Sequence, residues 1–394
     1  MKRQCAKLAD WRRPSGHQAQ NRTEIGGNVG APKPKRQAAA LYGIPGHPYI
    51  TPTMTDRVFM KMHGLGNDFV VFDARQTPLD LDPIEVRAVG DRHVGIGCDQ
   101  IVVMRPSTKA DVFMQLFNQD GSEISACGNA SRCVGQLIMH ERKTSKCTIE
   151  TKAGVLGAFD GGGGMITVDM GEVRTGWRDI PLSEERDTLD LKLEVANPND
   201  PNGDPLLWGA VGVNVGNPHI VFLVKNPWAV DLATIGPMLE NHPLFPERTN
   251  VSLAKITGPD EIQLRVWERG AGETKACGTA ACAALVAANR SGVMGRSAVV
   301  ELAGGALGVL WREDNHILLT GPATFAYAGT YDMHDIVRGL MASMRAEETN
   351  ERQRAQGGAG HAPKSAVAPL QDDGHDHDHD HAHHGHDHGH GHKH

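Results

Sequence analysis

Two stretches of the chain repeat one another at a fixed separation, and each sets a cysteine ahead of a helix-like run. Glu123-Ile-Ser-Ala-Cys127-Gly-Asn-Ala130 recurs as Glu273-Thr-Lys-Ala-Cys277-Gly-Thr-Ala280, 150 residues later. The same offset relates Gly66-Asn67 with Val70-Val71-Phe72 to Gly216-Asn217 with Ile220-Val221-Phe222, places Gln100 against Asn250, and sets Asn118 against Glu268. A register held across four motifs implies two copies of one supersecondary unit, each presenting a thiol. Two equivalent thiols facing one cleft suit a reaction that removes a proton from one face of a carbon and returns it on the other.

The chain of 394 residues is long enough for two compact domains with tails. Its formal net charge of −7 gives no global basic field that would point to nucleic acid. No run of 18 or more apolar residues suggests a membrane-spanning helix. The cysteines number seven and include no Cys-x-x-Cys pair. An odd number without a secretory signal reads as a reduced, intracellular chain, and the expected location is the cytoplasm.

Residues 1–56 differ from the rest: nine Lys/Arg lie between Met1 and Thr53 against the two acids Asp10 and Glu24, with little apolar periodicity. Two readings stand, a disordered basic arm or a start misassigned upstream of Met54. A transit peptide fits less well, because serines are few. The folded region is expected over 57–331: a first half at 57–172, a second at 173–317, and a last strand near 318–331 returning to the first half. Gly161–Gly164 read as a hairpin tip. After Cys127, Ala130, Cys133, Val134, Leu137 and Ile138 share one helical face. After Cys277, residues 280–288 are almost wholly small and apolar, as in a helix buried all round. The fold class expected is α+β, two pseudo-symmetric halves each wrapping a sheet around a central helix. A polar helix is expected at 332–356, then a linker and tail over 357–394.

A thiol acts as base only when ionised, and a helix N-terminus favours the thiolate. Cys127-Gly128-Asn129 and Cys277-Gly278-Thr279 place a thiol there, with a glycine that lets backbone approach a ligand closely. The free N–H groups of each first turn suit a carboxylate. A carboxylate pinned between two such turns leaves its α-carbon between two sulfurs. Cys133, Cys147 and Cys282 read as buried small hydrophobes. Cys98 is less settled. A zinc knuckle is disfavoured by the Cys127/Cys133 and Cys277/Cys282 spacings, and a Cys–His hydrolase leaves the second matched thiol unexplained.

At these residues the chain resembles the diaminopimelate epimerases. The resemblance runs through Met62–Phe69, Gly95–Gln100, Phe117–Ser122, Ala126–Asn129, Gly216–His219, Pro246–Asn250, Glu268–Glu273 and Ala276–Thr279. It implies interconversion of L,L- and meso-diaminopimelate, feeding lysine and peptidoglycan synthesis, by two cysteines with no cofactor. It further implies a two-domain fold that closes on substrate and a homodimer. Carried over by residue, it makes Cys127 and Cys277 the acid/base pair and Gly128, Asn129, Gly278 and Thr279 the holders of the reacting carboxylate. Asn67, Gln100, Asn118, Asn217, Asn250, Glu268 and Arg269 become further substrate contacts, while His219 and Glu268 tune the site. Taken singly, each Asn also fits turn capping. Two positions depart from the family pattern, Ala130-Ser131 and Cys98; the latter suggests an extra oxidisable thiol near the cleft. A disulfide between Cys127 and Cys277 would inactivate such an enzyme.

Two other readings remain open. A proline or hydroxyproline racemase would use the same two thiols but needs no groups for a second amino-acid head. A metal-handling protein would instead work through the tail, where residues 374–394 carry eleven histidines alternating with Asp, Gly and Ala. His375, His377, His379 and His381, with carboxylates between them, suit labile zinc or nickel.

Overall fold

The computed structural model describes residues 56–197, 200 and 203–357. The basic arm, the linker and the histidine-rich tail with His375, His377, His379 and His381 lie outside these residues. The strands run in chain order as β1 (Asp56–Gly64), β2 (Asn67–Asp73), β3 (Gln100–Arg105), β4 (Val112–Asn118), β5 (Glu123–Ile124), β6 (Lys146–Thr151), β7 (Gly154–Gly162), β8 (Met165–Glu172), β9 (Glu194–Val195) and β10 (Leu207–Trp208). They continue as β11 (Val211–Asn214), β12 (Pro218–Leu223), β13 (Asn250–Gly258), β14 (Glu261–Glu268), β15 (Gly272–Glu273), β16 (Ser297–Leu302), β17 (Gly305–Trp311), β18 (His316–Pro322) and β19 (Thr324–Asp332). The helices are α1 (Pro83–Gly90), α2 (Gly128–Arg142), α3 (Leu232–Glu240), α4 (Gly278–Arg290) and α5 (Met333–Gly357).

The 150-residue repeat is also a repeat of strand pairing. β2 pairs parallel with β3 and β12 with β13; β3–β4 and β13–β14 are antiparallel; β4–β6 and β14–β16 are parallel. The antiparallel pairs β6–β7–β8 and β16–β17–β18 complete each copy. The fold is therefore α+β with two pseudo-symmetric halves. The parallel steps explain the continuous apolar runs, since such strands bury both faces. In β2, Phe69 and Val71 face the core around α2, whereas Val70 and Phe72 face a second core against Val86 and Val89 of α1. In β12, Val221 faces α4 while Ile220 and Phe222 meet Leu232, Ile235 and Leu239 of α3.

The expected α2 face, Ala130, Cys133, Val134, Leu137 and Ile138, is buried throughout, and α4 is buried at every position from Ala280 to Ala288. The hairpin expected at Gly161–Gly164 joins β7 to β8. The single return strand expected near 318–331 is two strands, broken between Pro322 and Thr324. β18 pairs with β17 on one side and β8 on the other, while β19 pairs with β1. Two helices were not anticipated. α1 has 8 residues and starts at a capping box in which Asp82 accepts from Glu85 N and Glu85 reaches back to Asp82 N. α3 has 9 residues, is capped by Asp231 and contains Pro237. The C-terminal helix is present as α5; Met333 and Leu340 are buried and Ile336 and Val337 pack beside α1, while its described residues from Arg345 to Gly357 fall in a separate unit.

α2 and α4 touch near their N-termini, where β18 runs beside both. A Cβ on Gly128 would lie 3.3 Å from Leu319 Cδ2, and one on Gly278 only 2.6 Å from the same atom. One leucine thus sits against both helix starts, and glycine at each first position is what lets it in. Replacing Leu319 with Ala should cost about 2–4 kcal/mol, the range for truncating a fully buried leucine; urea unfolding of the variant measures it.

Candidate active site

Cys127 and Cys277 are the N-cap residues of α2 and α4, both with extended backbone, φ −149° and ψ 119° against φ −123° and ψ 112°. Neither first turn contains an acidic residue, so no side chain neutralises the helix dipole at either end. The backbone N–H groups of Asn129 and Ala130 point at the Cys127 sulfur, and the Ala280 N–H with the Thr279 hydroxyl at Cys277. Thr279 Oγ1 lies 3.4 Å from Cys277 Sγ.

The sequence led us to expect thiols with depressed pKa values. In the structure burial is the larger effect. It pushes Cys127 up against the opposing pull of the Ala130 and Asn129 N–H groups, with Glu268 raising and Arg132 lowering it further. Burial, then the charge of Glu268, holds Cys277 well above the ordinary thiol range despite Thr279 and Ala280. Helix N-termini offset only part of the desolvation of an anion. Glu268 is itself raised by burial, although hydrogen bonds from Thr274 and Cys277 pull the other way.

Around Cys127 the first half gathers most of its expected residues. Asn67 Oδ1 accepts from Asn129 Nδ2 at 3.1 Å and lies 4.0 Å from Cys127 Sγ. The other end of the Asn67 amide donates to Asp99 at 3.0 Å. Asp99 is paired to Arg92 (2.7 Å), Arg92 to Asp68 (2.7 Å), and Asp68 to Lys61 (2.6 Å). Burial would raise Asp68, but hydrogen bonds from Arg92 and Lys61 prevail and hold its carboxyl well below the usual range. Gln100 and Asn118 are register partners on β3 and β4, joined by Gln100 Nε2 donating to Asn118 Oδ1 at 3.2 Å. Gln100 Oε1 is buried without a partner among the described residues.

The second half repeats this arrangement. His219 and Asn250 are register partners on β12 and β13. His219 Nε2 lies 2.9 Å from Asn217 Oδ1, which can only accept, so Nε2 carries the proton. Asn250 Oδ1 accepts from the Arg269 N–H at 3.0 Å and its Nδ2 donates to Pro218 O at 2.7 Å. Glu268 ends β14, where the repeat sets it opposite Asn118 at the end of β4. Asn129 Nδ2 also donates across to Ala276 O at 3.3 Å, joining the two thiol-bearing turns directly.

Several residues here escaped sequence reasoning. Glu240, buried on α3, accepts from Trp267 Nε1 at 2.7 Å, Gly270 N at 2.9 Å and Arg248 at 3.1 Å. It thereby braces the Trp267–Gly270 turn that carries Glu268 and Arg269. Asp99 and Arg92 brace Asn67 in the same way, and Arg132 lies buried beneath Asn129. A glutamate ending an apolar helix and an arginine between Ala130 and Cys133 were the available signals. Cys98, by contrast, is fully buried and pushed up to about 12 by burial, which makes it a poor oxidisable thiol. Cys133, Cys147 and Cys282 are buried as expected.

The duplicated α+β frame, here with a thiol at the N-cap of each central helix, is a fold shared with solved amino-acid racemases and epimerases. Among solved structures, a hydroxyproline epimerase from Agrobacterium vitis superposes with TM-score 0.51 at 14% identity, covering 71% of this chain and 93% of that one. A probable proline racemase from Agrobacterium radiobacter K84 does so with TM-score 0.50 at 14% identity, covering 69% and 92%. Such distant likenesses show the fold alone. In sequence, the family profile described as diaminopimelate epimerase matches residues 59–176 and 211–326. The diaminopimelate epimerase of Rhodospirillum centenum is 50% identical over 275 residues, covering 69% of this chain and 91% of that protein. That of Acidiphilium cryptum is 48% identical over 276 residues, covering 70% and 96%. This chain belongs to the diaminopimelate epimerase family.

Two predictions follow from these contacts. Glu240→Gln replaces one buried acceptor by a donor facing another donor, and should cost about 1–3 kcal/mol in urea unfolding while raising KM. Burial, with Arg269 adding to it, depresses His219 to about 3. A folded-state value below the unfolded one means the unfolded chain binds the extra proton. The stabilisation from neutral His219 is therefore complete above about 6.5 and is lost as pH falls toward about 3. Its ring resonances should not titrate between about pH 5 and 8 in NMR spectra.

Proposed function

We propose that this protein interconverts L,L- and meso-diaminopimelate by a two-base reaction, with Cys127 and Cys277 working on opposite faces of one α-carbon. The observation that carries this reading is the pair of N-cap thiols, offered by duplicated helices whose first turns share Leu319 and the Asn129–Ala276 hydrogen bond. The α-carboxylate is held by the N–H groups of Gly128, Asn129, Gly278 and Thr279, which also stabilise charge accumulating on it as the carbanion forms. One sulfur, as thiolate, takes the α-proton; the opposite thiol gives its own proton to the other face and is left as thiolate. Direction of reaction decides which sulfur is base. Asn67, Gln100, Asn118, Asn217, Asn250, Glu268 and Arg269 contact the rest of the substrate.

The raised thiols fit this scheme. Cys277 and Glu268 share a hydrogen bond in which the thiol favours the ionised carboxylate while that carboxylate pushes Cys277 up, so forming the Cys277 thiolate is coupled to Glu268 holding a proton. His219 stays neutral and fixes Asn217. Closure of the two halves excludes water while the carbanion exists. A proline-type racemase shares the fold, but the asparagines and the Glu268–Arg269 turn offer polar groups for a second amino-acid head that a ring substrate lacks. No helix among the described residues is long and apolar enough to cross a membrane, and we place the enzyme in the cytoplasm. A homodimer is in keeping with the exposed Phe325 and Tyr327, two residues apart on one face of β19. Zinc or nickel at the histidine-rich tail is a separate property: deleting residues 375–394 should abolish nickel or zinc binding and leave turnover intact.

Incubating the protein with L,L-diaminopimelate in deuterated solvent should put label on the inverted α-carbon. Cys127→Ala and Cys277→Ala should each lower inversion by at least about 10³-fold, whereas serine variants keep elimination on a substrate with a leaving group. An alanine variant that inverts at close to the parental rate overturns the two-base scheme.

A further inference from the structure

Among the described residues, Arg132 is the largest side chain with no measurable exposure. It sits on α2, five residues past Cys127. Nη2 donates to Asn129 Oδ1 at 2.7 Å and Nε to Pro322 O at 3.3 Å, while Nη1 has no partner among the described residues. Two glycines make room for it. A Cβ on Gly64 would lie 2.9 Å from Nη2, and one on Gly321 would lie 3.1 Å from Cζ. Buried arginines are normally matched by a carboxylate, because desolvating a lone cation costs several kcal/mol. The titratable groups around this one are thiols: Cys133 on its own helix, Cys127 at the head of that helix, and Cys282 on α4. The strands against it, β1 and β18, present Gly64, Gly321 and the Pro322 carbonyl. Glu268, from β14, faces Cys127 with the opposite sign.

We propose that Arg132 is a positioning residue of the epimerase site that orients Asn129 and supplies an uncompensated positive charge offsetting the Cys127 thiolate. Its bond to Asn129 Oδ1 turns the amide so that Nδ2 faces both Asn67 Oδ1 and Ala276 O, which ties the first thiol turn to the second. Its charge, left without a carboxylate, is balanced only when an anion forms in the site. A cation buried near a thiol favours the thiolate without touching substrate. The idea rests on Cys127 being an acid/base group, and its test is therefore read without substrate as well as with it.

Alkylation of Cys127 by iodoacetamide, followed across pH by peptide mapping of the full-length protein, reports its ionisation directly. Arg132→Met should raise the alkylation midpoint by about one pH unit or more and lower kcat by about tenfold or more, with a smaller change in KM. Arg132→Lys, which keeps the charge, should leave the midpoint within about 0.3 unit of the parent yet lose part of kcat, because an ammonium cannot make the same two-pronged contact. A folded Arg132→Met protein with an unmoved midpoint overturns the proposal, as does a lysine variant whose midpoint moves as far as methionine's. If the methionine variant does not fold, Arg132→Gln takes its place, with the same rise in midpoint expected and an unmoved midpoint again overturning the proposal. A shifted midpoint in an enzyme that never inverts diaminopimelate would sink the functional reading and leave the role of Arg132 standing.

Discussion

The structure depends on two helices meeting end to end at their positive termini. Bringing two such ends together is electrostatically unfavourable, because each carries roughly half a positive charge. Here the contact is held by packing: Leu319 lies against both first turns, and Asn129 donates across to the carbonyl of Ala276. The residual positive potential has no acidic side chain in either first turn to absorb it. It is available for an anion, and the groups offered between the helices are two thiols and the N–H donors around them. The same crowding buries the sulfurs, which explains why both are raised even though each caps a helix. Ionisation is thereby tied to events in the site, since a permanently charged thiolate would have to be held against desolvation.

Around that contact, polar residues stand in two layers. The inner layer, Asn67, Asn129, Asn217, Asn250 and Glu268, comes from strand ends and helix starts. The outer layer, Asp99 with Arg92, Glu240 and Arg132, is charged and grips the inner amides and turns. Amide side chains are easily turned, and a charged partner on one end sets which end faces the cleft. Rigidity of this kind suits the reaction proposed above, in which one carbon is to be placed between two sulfurs with little tolerance in either direction.

Much of this was legible in the sequence because repetition carries geometry. An offset of 150 residues predicted both central helices and their caps, and paired Asn118 with Glu268 and Gln100 with Asn250 at equivalent strand ends. The apolar face of α2 could be read from spacing. What stayed hidden was set by tertiary context. α1 and α3 are too short for periodicity to mark them, and their capping residues, Asp82 and Asp231, were the local signals left unread. The balance between helix dipole and burial at the thiols needs depth, which a sequence does not contain. Glu240 and Arg132 are buried only because other elements close over them, and nothing local in the sequence marks that. The expected single return strand is two strands, and the break beside Pro322 depends on β18 and β19 joining different neighbours.

That break has a bearing on how the chain comes together. β1 lies between β2 and β19, and β8 borders β18, so the first half is sealed along two edges by segments more than 140 residues downstream. Emerging from a ribosome, the N-terminal copy would carry two open hydrogen-bonding edges until the last strands arrive. Ring closure of this length is slow, and the nascent half must stay soluble meanwhile. The molecule is duplicated in plan, yet the edges of its first copy are closed only by strands that follow the second.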